Sequence, residues 1–121
     1  MKVAVVYKSI HMGNTEKIAR KIGESIDGDV FSVEEIDASI LTDYDLIGFG
    51  SGIYFGKHHR SLFEFLENID TLEKKTFIFS TRSITPVSIA HRTLRKKLES
   101  KGAEVVSEFS CKGENRIGPF K

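Results

Sequence analysis

A run of small polar side chains lies close to the amino terminus: Ser9-Ile10-His11-Met12-Gly13-Asn14-Thr15. Ser9 and Thr15 supply hydroxyl donors. Asn14 supplies an amide donor or a helix cap, and Gly13 lets the backbone approach a ligand closely. The free amides and the dipole of a helix start favour a phosphate at the same place. The run has no Gly-Lys-Ser/Thr, so it is not a phosphate-transfer loop, and it is not a Gly-x-Gly-x-x-Gly dinucleotide turn. Neutral donors without a lysine suit a phosphate that is held and never transferred, such as the phosphomonoester of FMN. The alternative is an ordinary Ser/Asn-rich helix cap.

Two further loops could join it. Residues 51–60 contain two glycines, two aromatics and the basic cluster Lys57-His58-His59-Arg60. Residues 81–85 read Thr81-Arg82-Ser83-Ile84-Thr85. Other chemistry is poorly represented. Adjacent His58 and His59 have poor geometry for chelating one metal, and no Cys-x-x-Cys occurs. No Ser/His/Asp order or carboxylate pair marks a hydrolase.

The elements that must carry these loops alternate between strand and helix. Val3-Ala4-Val5-Val6-Tyr7 reads as a strand buried on both faces. Ile18, Ala19, Ile22 and Ile26 form a helical stripe that ends near Gly28. Residues 30–36 read as an edge strand, 45–51 and 76–80 as buried strands, and 61–69 as a helix. Thr85-Pro86 reads as a helix start, with Thr85 as cap and Pro86 in the first turn. Val87, Ala90, Leu94 and Leu98 form its stripe, and Gly102 closes it. His91 lies beside that stripe and reads as packed or half-exposed. Val105 and Phe109 alternate with Glu104 and Glu108 in a last, half-exposed strand ending at Cys111. This pattern predicts one α/β domain over residues 1–121 with a doubly wound parallel sheet. Ligands of such sheets bind beyond the carboxyl ends of the strands, where all three loops fall.

With the elements in place, the sequence resembles the flavodoxin family. The resemblance rests on Val5-Val6-Tyr7-Lys8-Ser9, on Gly13-Asn14-Thr15-Glu16 with Ala19, and on Ser51-Gly52-Ile53-Tyr54-Phe55-Gly56-Lys57. The first loop has one residue more than the commonest pattern and resembles a short subgroup with a Ser-Ile-His run. The resemblance implies a five-stranded sheet of order 2-1-3-4-5, an FMN cofactor and an electron-transfer role with redox partner proteins. It implies that Ser9, His11, Gly13, Asn14 and Thr15 contact the phosphate, with Ile10 and Met12 contributing amides. Ser51, Gly52, Ile53, Tyr54, Phe55 and Gly56 would line the isoalloxazine ring, with Tyr54 and Phe55 as its flat neighbours. Thr81, Arg82 and Ser83 would meet the pyrimidine edge, where Arg82 offsets the charge of reduced flavin. No aromatic from this third loop is available to cover the ring. The stretch 50–66 also resembles menaquinone-dependent protoporphyrinogen oxidase, a flavodoxin-like FMN enzyme. A receiver domain shares the strand order, but its aspartate is absent from the strand ends.

Composition agrees with one small globular domain. The 121 residues are 40% hydrophobic and 29% charged, with net charge +1. Residues 1–50 hold five basic and nine acidic side chains, and residues 51–121 hold 13 and eight. That asymmetry is too weak for a nucleic-acid surface. No apolar run reaches the roughly 18 residues of a membrane span. The single cysteine, Cys111, cannot form an internal disulfide and fits a cytoplasmic location. One expectation concerns the end of the chain. The family's final helix has no counterpart here, so one face of the third and fourth strands is expected to be bare. Either a longer natural chain or a second chain, most simply in a homodimer, would cover it.

Overall fold

The computed structural model describes residues 1–10, 13–81 and 85–111. Its strands are β1 (Val3–Lys8), β2 (Asp29–Ser32), β3 (Leu46–Tyr54), β4 (Lys57–His58), β5 (Lys75–Thr81) and β6 (Glu104–Cys111). Its α-helices are α1 (Asn14–Ile26), α2 (Arg60–Glu67), α3 (Val87–Ala90) and α4 (Arg92–Ser100). The main sheet is parallel and ordered β2-β1-β3-β5-β6, the order 2-1-3-4-5 expected from the sequence. The short β4 pairs antiparallel with β3 and was not anticipated.

Alternation along the strands divides the core into two layers. Val3, Val5 and Tyr7 of β1 pack with Ile18, Ala19 and Ile22 of α1. Ala4 and Val6 face the other way, toward Leu62, Phe65 and Leu66 of α2 and Leu94 and Leu98 of α4. The helices therefore lie on the faces that right-handed crossovers require.

The face expected to be bare is closed. Phe77, Phe79 and Phe109 are only 2%, 0% and 7% exposed. Phe109 stacks on Phe77 and on Phe79, each at 6.1 Å between centroids. Part of the reason lies in β3. A Cβ on Gly48 would meet the Phe77 ring at 2.1 Å, and one on Gly50 would meet Phe79 at 2.3 Å. The two glycines let the rings lie flat on the sheet instead of projecting from it.

Four other expectations change. The edge strand stops at Ser32, because the Ser32 hydroxyl and carbonyl oxygens accept the amides of Glu34 and Glu35 and turn the chain. Pro86, not Thr85, holds the cap position, with an extended ψ of 143°. The helix after it breaks at His91, whose imidazole is drawn into the core. Glu108, expected to face water, is largely buried and paired with Arg95 and His91. Gly102 does follow α4 in the left-handed region, at φ +89°. Cys111 is buried and forms no disulfide.

Candidate functional site

Strand register brings the three loops together. Lys8 at the end of β1 pairs with Ser51 of β3, and Gly52 of β3 pairs with Thr81 at the end of β5. The loops leave the sheet side by side at its carboxyl edge, next to the point where strand order reverses.

The first loop ends at Gly13, with φ +71°, which caps α1 without a side-chain hydrogen bond. Among the described residues, a Cβ there would meet Glu16 Oε1, at 3.9 Å. No capping oxygen from Gly13 competes for the first amides, those of Asn14 and Thr15. Ser9 Oγ reaches back to accept the Glu16 amide at 3.3 Å. Thr15 is buried, and its Oγ1 lies 2.8 Å from Thr81 Oγ1. One hydroxyl of the pair donates to the other, leaving one proton for a third partner. Ser9, Gly13, Asn14, Thr15 and Thr81 thus converge on the start of α1. Ile10 closes the described part of this loop. His11 and Met12, expected beside them, and Arg82 and Ser83 of the third loop lie outside the described residues.

The second loop is a tight β-hairpin rather than an open loop. β3 runs through Ile53 to Tyr54, and only Phe55 and Gly56 separate it from β4. Both have positive φ, +54° and +84°, the pattern of the primed turns that two-residue hairpins use. Glycine accepts this conformation freely, whereas phenylalanine is strained in it. Phe55 is fully exposed at the tip. Tyr54 is half-buried: its ring stands edge-on to His59 at 5.5 Å, and its hydroxyl folds back over Gly52. Burial pushes the Tyr54 hydroxyl up from its ordinary pKa, against the pull of Lys8.

Ser51 is turned inward. It is fully buried, its Oγ donates to the Gly52 oxygen at 2.6 Å, and it accepts the His59 amide at 3.0 Å. Its side chain therefore braces the hairpin, and a ligand would meet its neighbours. His59 caps α2, its Nδ1 accepting the Ser61 amide at 3.0 Å. Burial, then the charges of Lys8 and Arg60, hold the His59 imidazole below its usual pKa. Lys8 itself is tied to Glu34 at 2.7 Å. Nothing in the residues around Ser51 signals its bracing role. The cap could have been read from a polar residue two positions before Ser61.

Three comparisons bear on this arrangement. A flavodoxin-domain family profile matches residues 4–116. The uncharacterized protein MJ0298 of Methanocaldococcus jannaschii is 51% identical over 122 residues, covering all of this chain and 81% of that protein. Oxidised Flavodoxin 2 of Bacillus cereus superposes with a TM-score of 0.76 at 26% identity, over 99% of this chain and 90% of its own. Flavodoxin 1 of the same organism gives 0.75 at 25% identity, with the same coverage. A profile match over nearly the whole chain, joined to this sheet order and these loops, places the protein in the flavodoxin family, as a flavodoxin-type flavoprotein.

Proposed function

We propose that the chain binds FMN at the carboxyl edge of its sheet and acts as an electron carrier toward redox partner proteins. The observation that carries this reading is the start of α1, where Gly13 offers no capping side chain and the hydroxyls of Ser9, Thr15 and Thr81 gather. That donor set is neutral and preorganised, as a permanently held phosphate requires. Asn14 and Thr15 would hold the phosphate through their amides, and Ser9 and Thr15 through their hydroxyls. Tyr54, with its ring already fixed, and Phe55, free at the tip, would flank the isoalloxazine. The backbone from Gly52 to Gly56 would meet its polar edge. When bound, FMN supplies the redox chemistry, while the chain orients it and sets its surroundings.

The exposed Phe55 is neighboured by exposed Lys57 and Arg60. A partner meeting the hairpin tip would match this apolar and basic character. A single, buried cysteine outside any disulfide suits a cytoplasmic protein.

Titration of the flavin-free chain with FMN and with riboflavin, followed by flavin fluorescence, tests the reading. FMN should bind at one per chain, and riboflavin at least tenfold more weakly. Equal affinity for the two would remove the phosphate from the site. Turnover of a porphyrinogen with a quinone would make the chain an enzyme instead of a carrier.

A further inference from the structure

The hairpin is locked from below by a histidine that has no place in the flavin contacts. His58 is 1% exposed, although it belongs to a two-residue strand beside a fully exposed turn. Its Nε2 lies 2.9 Å from the main-chain oxygen of Phe79 in β5. A carbonyl oxygen can only accept, so Nε2 carries the proton and Nδ1 is bare. That bare nitrogen is buried, with no hydrogen-bond partner among the described residues. Burial pushes the His58 pKa down to about 3, so the ring is neutral.

A second imidazole packs against it. The His91 ring lies 4.8 Å away, centroid to centroid, and is fully buried at the junction of α3 and α4. Its Nδ1 donates to Glu108 Oε1 at 3.1 Å, and its Nε2 accepts from the Ser80 hydroxyl at 2.8 Å. Arg95 already meets the Glu108 carboxylate through two hydrogen bonds, of 2.7 and 3.1 Å. The carboxylate therefore needs no imidazolium, and burial holds His91 below its usual pKa. The two rings join three segments distant in sequence: the hairpin after β3, the end of β5, and the helix pair that follows the third loop. Two of the three loops of the proposed site spring from those segments.

We propose that His58 and His91 are positioning residues, which fix the 54–57 turn against β5 so that its main-chain groups meet the flavin ring in one register. The proposal rests on the FMN reading above. A hairpin held in one place presents one set of donors and acceptors to the ring, and so sets the balance between oxidised and reduced flavin.

Two isopolar variants test it. In His58→Gln the amide nitrogen reaches the position of Nε2 and can still donate to the Phe79 oxygen. In His58→Asn it reaches only the position of Nδ1 and cannot. Amide exchange at residues 55–57 of the unloaded chain should be at least tenfold faster in His58→Asn than in wild type, and near wild type in His58→Gln. In the FMN-loaded chain, His58→Asn should change the ratio of oxidised-state to reduced-state affinity about tenfold, or ~59 mV for a one-electron couple. His58→Gln should restore most of that shift. Should His58→Asn not fold, Ser80→Ala, which unties His91 from beneath His58, should raise exchange at 55–57 about threefold. Exchange and potentials unchanged in His58→Asn, or exchange unchanged in Ser80→Ala, would overturn the proposal. If the wild-type chain does not take up FMN, the FMN reading fails, and the exchange comparison still decides whether the imidazoles lock the turn.

Discussion

The hydroxyls of Thr15 and Thr81 meet at 2.8 Å in the interior and tie the first turn of α1 to the last residue of β5. This bond joins the loop that would hold a phosphate to the loop that would meet the ring. It makes Thr15 a donor whose position is fixed before any ligand arrives, which lowers the ordering cost of binding.

Thr15→Val keeps the side-chain shape and removes both the Thr81 bond and the donor proposed for the phosphate. FMN affinity should fall by about 1–3 kcal/mol, roughly 5- to 150-fold. Fluorescence titration measures it, and an unchanged dissociation constant would show that Thr15 serves only the fold.

Tyr54→Ala should weaken FMN binding more than Phe55→Ala does. Tyr54 is already held edge-on against His59, whereas Phe55 must give up free rotation to stack. Aromatic stacking contributes roughly 0.5–1.5 kcal/mol beyond area burial. Residual flavin fluorescence should rise in Tyr54→Ala, and the reverse ranking would identify Phe55 as the stacking ring.

Phe55→Asn should stabilise the flavin-free chain. A left-handed residue other than glycine or asparagine carries about 1–2 kcal/mol of strain, and asparagine before Gly56 is favoured in a primed turn. The exposed Phe55 ring gives up no packing when it is lost. We expect a gain of roughly 1 kcal/mol, or about 4 °C in Tm. A lower Tm would mean that the Phe55 ring supports the hairpin.

Acid should destabilise the fold through its buried imidazoles. Burial pushes His58 down to about 3, so its ring is neutral in the folded chain, and burial lowers His91 as well. The unfolded chain takes up these protons near the ordinary value of about 6.5. The His58 contribution is therefore full above about pH 6.5 and is lost as pH falls toward 3, by up to about 1.4 kcal/mol per pH unit, and His91 acts in the same direction. Urea unfolding at a series of pH values should show His58→Gln with the shallower loss. Parallel profiles for variant and wild type would place the titration elsewhere.

The sheet order and the gathering of the three loops at one edge were legible because they rest on periodicity and on strand ends. Runs such as Val3 to Tyr7 must be buried on both faces, and parallel strands deliver their loops to one edge. The hairpin was not legible. Nothing in Tyr54-Phe55-Gly56-Lys57 announces a strained phenylalanine, and Phe-Gly is an unusual pair for a primed turn. The inward roles of Ser51, His58 and His91 are tertiary, made by partners 8, 21 and 17 residues away. The burial of the aromatic face was missed because a strand reading of residues 45–51 does not show which rings of the neighbouring strand lie over Gly48 and Gly50. The two glycines act as floor space for Phe77 and Phe79.

The most direct test of the central claim is an anaerobic reductive titration of the chain after loading with FMN. The account predicts one FMN per chain, retained through gel filtration, reduced and reoxidised reversibly without any added substrate. A chain that releases FMN on gel filtration, or whose bound flavin has the potentials of free FMN, would contradict it.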